Sequence, residues 1–372
     1  MLLFFLLTLA GSSFGQDGRA RDYGIEIGVL PPGKYNSITD VNGVRVGHTT
    51  MIRGGHIRTG VTAILPHDKN LYQLKTPAAV YIGNGYGKLT GISQVKELGN
   101  IETPVVLTNT MSVPTAFNGL ISYTIDQPGN EHVRSVNGLV GETNDGALND
   151  IRGRHISEED VLKAIEAANG DPVTEGNVGA GTGTICFGFK GGIGTSSRIL
   201  PEPLGGYTVG VLVQTNFGGV LQIDGVPVGE ELEKFSFSKQ ILENADGSCM
   251  IVVATDAPVN ARNLERIAKR AMMGLGKTGG IASNGSGDYV IAFSVAEGNL
   301  IEATSSSPVY ASQTLTNNAL SPIFLAAIEA TEEAIINSLF AAETMTGNGG
   351  RTVNELPVDK VIEIMKKYGN IK

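Results

Sequence analysis

The sequence predicts a mixed α/β fold in which helices cover both faces of stacked sheets. Short β-like runs recur along the whole chain, three segments carry helical periodicity, and glycine far exceeds its usual share. The β-like runs are Val44 to Val46, Val61 to Leu65, Val80 to Ile82, Val105 to Thr108, Ile185 to Phe189, Tyr207 to Gln214, Met250 to Ala254 and Tyr289 to Ser294. Turn residues bound them, as they bound strands. The first helix runs from Ser157 to Ala168, where Ser157 followed by Asp160 has the form of a capping box. The second opens at Asn260 or Asn263, with Leu264, Ile267, Ala268 and Ala271 on one face. The third, Pro322 to Thr344, is apolar on more than one side, as a helix packed against a sheet is. The 50 glycines have no fixed period, which excludes collagen and fits tight turns and close backbone approaches.

With 372 residues, 41% of them hydrophobic, the chain can bury a large core, either as two domains or as one big sandwich. No linker rich in Pro, Ser or charge divides residues 22 to 368, and no internal repeat is visible. A formal net charge of −9 argues against nucleic acid or an anionic membrane as partner. The opening MLLFFLLTLAGSSFGQ has an apolar run from Leu2 to Leu9, then small residues at Ser13 and Gly15. This predicts a signal peptide over residues 1–15, cleaved before Gln16, and hence an exported, periplasmic or extracellular protein with no membrane attachment after cleavage. An uncleaved anchor is the alternative, because no Lys or Arg precedes the run. Cys186 and Cys249 both fall in apolar runs and are expected as buried free thiols, although export would permit pairing.

Two glycine-rich segments fail as nucleotide sites. GLGKTGG, Gly274 to Gly280, contains Gly-Lys-Thr, but a Walker loop needs glycine where Ala271 stands, and a helix precedes rather than follows it. It is expected to be a helix end, stopped by glycine. GAGTGT, Gly179 to Thr184, lacks the third glycine of a dinucleotide fingerprint. The five histidines have no zinc-type spacing with each other or with cysteine, so no metal and no cofactor is assigned. Asn284-Gly285-Ser286 matches a glycosylation acceptor, a pattern common by chance.

Four polar segments beside β runs remain. In ENADGSCMIVVATDAP, a turn of Asn244, Asp246 and Gly247 delivers Ser248 to the edge of an apolar strand. A cut before Ser248 would make it a strand-initial residue with a free amine, the device by which N-terminal nucleophiles obtain a local base. Cys249 is the rival nucleophile. In SNGSGDYVIAFS, Ser286 and Asp288 can face one side if the strand begins early. Asp288 would then orient Ser286, and Ser286 in turn Ser248. In VQTNFGG, Asn216 can offer an amide to a developing oxyanion. In VGETNDGALNDIRGR, Glu142 and Asp145 are expected in a turn, where they can bind an ammonium group.

In this order, with NSITDVNGVRVGHTT, YIGNGYGKLTGISQVKELG, PVVLTNTMSV and FAAETMTG, these segments resemble one family over about Gly24 to Tyr368. It is the L-aminopeptidase/D-esterase and β-peptidyl aminopeptidase family of self-processing N-terminal-nucleophile hydrolases. The resemblance implies a four-layer α-β-β-α sandwich made as one precursor and cut between Gly247 and Ser248. Residues 16–247 would form an α subunit and residues 248–372 a β subunit of the same domain. Ser248 becomes the nucleophile, Ser286 and Asp288 support it, Asn216 stabilises the oxyanion and Glu142 receives the substrate amine. The resemblance further implies an assembly of four αβ units acting on short peptides or amino-acid amides and esters. The base is either the Ser248 α-amine, with an ordinary pKa of roughly 7.7–8, or a relay through Ser286.

Two other functions compete. Acyl transfer, as in the ornithine acetyltransferases of similar architecture, uses Thr and is cytoplasmic, against Ser248 and an export signal here. An exported, non-catalytic binding protein would have no need of Gly247, Ser248, Ser286 and Asp288 together.

Overall fold

The computed structural model describes residues 18–236, 247–305 and 307–371. The expected signal peptide and the turn at Asn244 and Asp246 lie outside the described residues. The first strands are β1 (Arg45–Arg53), β2 (Ile57–Leu65), β3 (Leu74–Gly85), β4 (Asn100–Ile101), β5 (Val105–Asn109), β6 (Leu139–Thr143), β7 (Ile185–Cys186) and β8 (Phe189–Lys190). They are followed by β9 (Ile193–Ile199), β10 (Thr208–Asn216), β11 (Ser248–Thr255), β12 (Gly287–Ser294), β13 (Ile301–Glu302), β14 (Met345–Thr346) and β15 (Thr352–Val353). The helices are α1 (Ile92–Leu98), α2 (Val113–Ile125), α3 (Glu158–Glu166), α4 (Val228–Glu231), α5 (Ala261–Lys277), α6 (Ser321–Phe340) and α7 (Val358–Lys367).

Two sheets carry the structure. The smaller has the order β1-β2-β5-β6, and the larger β13-β3-β12-β11-β10-β9, with β4 also paired to β3. Most neighbours are antiparallel. The exceptions, β5–β6 and β11–β12, are parallel, and α2 and α5 supply their crossovers. Strand alternation assigns each side chain to a layer. Ile64, Leu107 and Leu139 of the small sheet meet Leu212, Met250, Val252 and Ile291 of the large one in a shared core. The opposite face of the large sheet, Val211, Val213, Ile251, Val253 and Val290, packs on α5 and α6. The opposite face of the small sheet, Val61, Ala63, Val106 and Val140, packs on α2 and α3. The molecule is therefore the four-layer α-β-β-α sandwich expected. Its central strands read as unbroken apolar runs because both of their faces are covered.

The helix signals hold with trimmed ends. Ser157 caps α3 in a capping box with Asp160, and Asn260 caps α5 by accepting from the Asn263 N–H. The helix expected to reach Thr344 stops at Phe340. The segment GLGKTGG ends α5 at Lys277 and turns at Gly279, whose φ is +89°. One strand expectation is corrected. Ile185 to Phe189 is a tight hairpin of β7 and β8, turned by Phe187 and Gly188 at φ +51° and +76°. Gly188 is the one turn signal in the run; the other left-handed residue is a phenylalanine, which an apolar run cannot announce.

Helix α6 explains its own composition. Its low amphipathicity comes from burial on nearly every side, including the carboxylates of Glu329, Glu332 and Glu333. Arg198 of β9 answers two of them, Nε to Glu329 at 3.1 Å and Nη2 to Glu333 at 2.6 Å, and Arg21 donates two more bonds to Glu333 at 2.7 and 2.9 Å. Lys277 pairs with Glu332 at 2.5 Å.

Candidate active site

Three strand ends meet at Ser248. The register pairs it with Asn216, the last residue of β10, and with Gly287, the first residue of β12. Alternation turns Ser248 and Asn216 to the same side as Met250 and Leu212, at the open end of the inter-sheet core. Ser248 Oγ donates to the Gly247 carbonyl oxygen at 2.6 Å. The Gly287 N–H lies 3.2 Å from that same carbonyl oxygen and 3.3 Å from Ser248 Oγ. Glycine is required at 287, because a Cβ there would fall 2.2 Å from the Tyr86 carbonyl oxygen.

A cavity of about 610 Å³ opens beside these atoms. Ser248, Gly247, Asn216 and Glu142 all line it, together with residues of the Tyr86–Lys88 turn, Thr110 and Arg351. That volume falls within the range of small-molecule sites. The Asn216 side chain is oriented by the β7–β8 hairpin, since the Ile185 N–H donates to its Oδ1 at 3.0 Å. An N–H can meet only the oxygen of the amide, so the NH₂ is the end left available. Phe187 strengthens the clamp, its N–H donating to the Phe217 carbonyl at 2.7 Å and its ring standing edge-on to Phe217 at 5.0 Å.

Glu142, near the end of β6, is almost fully buried yet reaches the cavity. Its Oε1 accepts the Lys88 N–H at 3.0 Å and lies 3.7 Å from Lys88 Nζ, while the Thr110 hydroxyl donates to Oε2. Asp145 is absent from the cavity wall. It is buried against Asn149 at 3.0 Å, and desolvation pushes its carboxyl up to about 7.

Ser286 and Asp288 pair as expected, Ser286 Oγ donating to Asp288 Oδ1 at 2.9 Å. They adjoin Ser248 through Gly287 and stand outside the cavity lining. The register sets Asp288 beside Cys249, on the opposite side of the sheet from Ser248, and the pairing with β3 shifts at Asp288. Burial raises the Asp288 carboxyl to about 6, and the Ser286 hydrogen bond opposes that rise. In the continuous chain Ser248 Oγ is turned to Gly247 rather than to Ser286. Cys249, the rival nucleophile, points into the layer under α5 and α6. Desolvation lifts its thiol well above the ordinary range, so it offers no thiolate. Cys186 is likewise buried and free, its thiol pushed up to about 12.

Sequence reasoning passed over Gly287, Lys88, Thr110 and Arg351. The first three sit inside segments already singled out, next to chemically louder neighbours. Arg351 had no signal beyond being a cation among glycines.

An α-β-β-α sandwich with a strand-initial serine at a cavity in its end is the fold of the Ntn hydrolases. The pattern of peptidase family S58 matches residues 36–353. The chain belongs to that family, and is an aminopeptidase. It is 42% identical to the β-peptidyl aminopeptidase BapA of Sphingosinicella microcystinivorans, over 97% of this chain and 95% of that one. Among solved structures it matches the PH0078 protein of Pyrococcus horikoshii with TM-score 0.88 and 48% identity, over 95% of this chain and 100% of the other. It also matches the L-aminopeptidase D-Ala-esterase/amidase of Ochrobactrum anthropi, described as a prototype serine aminopeptidase and a variant of the Ntn hydrolase fold. There the TM-score is 0.87 and the identity 38%, over 95% and 99% of the two chains.

Proposed function

We propose that this chain cuts itself between Gly247 and Ser248, then uses Ser248 to release N-terminal residues from short peptides, amino-acid amides or esters through an acyl-enzyme. The observation that carries the reading is the 2.6 Å hydrogen bond from Ser248 Oγ to the Gly247 carbonyl oxygen, which holds the hydroxyl beside the scissile carbonyl, with the Gly287 N–H directed at both oxygens. In the uncut chain the Ser248 nitrogen is an amide and cannot serve as base, so a relay through Ser286 is given that task for the first cut, and it requires Ser248 Oγ to turn from the Gly247 carbonyl oxygen toward Ser286. The cut frees the α-amine, which then serves as base in turnover. Asn216 donates its NH₂ to the oxyanion of the tetrahedral intermediate. Glu142 anchors the substrate ammonium, supported by Thr110. Water then hydrolyses the ester on Ser248, returning its hydroxyl.

A denaturing gel tests the reading. The purified protein should run as two pieces of about 24 and about 13 kDa at this chain's mean residue mass. Ser248→Ala should run as one; splitting at the same bond in that variant would remove Ser248 from the role. Export before Gln16 and assembly of four αβ units complete the proposal. They rest on the leader sequence and the family resemblance respectively. An intact leader on protein recovered from the medium or periplasm would overturn the first, and a lone αβ heterodimer at micromolar concentration in sedimentation the second.

A further inference from the structure

We propose that Arg351 receives a carboxylate on the leaving side of the scissile bond, so that the cavity favours short peptides with a free C-terminus over their amides. This rests on the assignment of Ser248 and Glu142 above. Arg351 lines the same cavity as those two residues, on a separate element. It closes the exposed turn of the β14–β15 hairpin, directly before β15, and the hairpin is firmly based. The Asn348 N–H donates to the Leu148 carbonyl at 2.7 Å, and the Gly347 N–H closes the turn onto the Arg351 carbonyl at 2.8 Å. Leu148, Met345 and Val353 form a small apolar cluster beneath it, with Ile185 packed alongside.

The cations near the wall are differently committed. Lys88 Nζ lies 3.7 Å from Glu142. Arg58 spends its guanidinium on the carbonyls of Gly54, Ile57 and Thr346. The Arg351 guanidinium has no carboxylate or carbonyl partner among the described residues. A planar guanidinium fork matches a carboxylate in a two-bond geometry that neither an amide nor an ester can reproduce. The cavity lining thus holds a carboxylate and a guanidinium without a carboxylate or carbonyl partner among the described residues, with the nucleophile on a third element. A zwitterionic short peptide carries the complementary charges, and complementarity of this kind confers specificity.

The test compares kcat/KM for a dipeptide and for its C-terminal amide, both beginning with the residue best released from a panel of amino-acid p-nitroanilides. The wild type should favour the free acid by about ten- to a hundredfold, the range of a charge-assisted hydrogen bond. Arg351→Gln should bring the ratio near one, chiefly through KM for the acid, and Arg351→Lys should keep part of it. A wild-type ratio near one, or an equal loss on both substrates in Arg351→Gln, would overturn the proposal. Turnover of p-nitroanilides with a flat ratio sinks only the role of Arg351. Absence of any turnover by fully cut enzyme sinks the aminopeptidase mechanism beneath it as well.

Discussion

Asp288 holds a carboxyl in a buried site with one side-chain hydrogen bond, from Ser286, and its proton leaves only near pH 6. The folded chain therefore binds this proton more tightly than the unfolded chain, where an aspartate titrates near 4. Stability from this group falls as pH rises between about 4 and 6, and the full penalty stands above 6. Asp288→Asn keeps an acceptor for Ser286 without the charge. In a Ser248→Ala background, where neither protein is cut, it should raise Tm above pH 6 and leave it unchanged near pH 4. A lower Tm at pH 7 would show that the ionised carboxylate supports the fold. Glu142 gives the second expectation at this scale. If Glu142 anchors the substrate amine, N-acetylated substrates should be poor, because acetylation removes the ammonium and leaves the carboxylate only Lys88 Nζ at 3.7 Å. Such a hydrogen bond is worth roughly 1.5–3 kcal/mol, or about ten- to a hundredfold in kcat/KM. Glu142→Gln should narrow that gap while self-cutting persists, since the Gly247 carbonyl needs no free amine. Undiminished discrimination in the variant would move the role to another residue; buried Asp145, off the cavity wall, is a poor substitute.

Among the elements, legibility in the sequence followed burial chemistry. Strand β11 was plain because MIVVA is covered on both faces by apolar neighbours. Strand β9 was hidden because it buries Thr195, Ser196, Ser197 and Arg198, whose partners Asn36, Glu329 and Glu333 are remote in sequence. Such polar burial is satisfied only by tertiary structure, so no local pattern encodes it. Strand β6 and helix α1 are short; helix α2, although 13 residues long with a Ser before it and a Pro in its first turn, was passed over, as was α7. At the site, Ser248 and Asn216 were legible as polar residues at strand edges, whereas Glu142, expected in a turn, lies within β6; the structure gathers all three on one cavity. The Ser286–Asp288 pair was legible as a pair. Its position across the sheet from Ser248 was not, because that depends on the register of β11 with β12.

At the scale of the whole molecule, the order of the large sheet governs what a cut at Gly247 can do. Strands β11 and β12 lie between β3 and β10, so the two middle strands belong to one piece and both flanking strands to the other. Helices α5 and α6, also after the cut, cover that sheet. The pieces should co-elute from a sizing column without denaturant and separate only in it. Cutting thereby changes the kinetic order of recovery. An intact chain regains its structure by a first-order process, with the flanking strands tethered to the central pair. Two severed pieces must meet, so their return is second order and fails on dilution. After complete unfolding, Ser248→Ala should refold with a yield independent of concentration over a hundredfold dilution. The cut wild type should lose yield steadily across the same range; an equal yield at every dilution would mean that one piece folds without the other. Maturation by the proposed cut would then act as a one-way valve, since an enzyme unfolded at low abundance could not rebuild itself from dilute pieces.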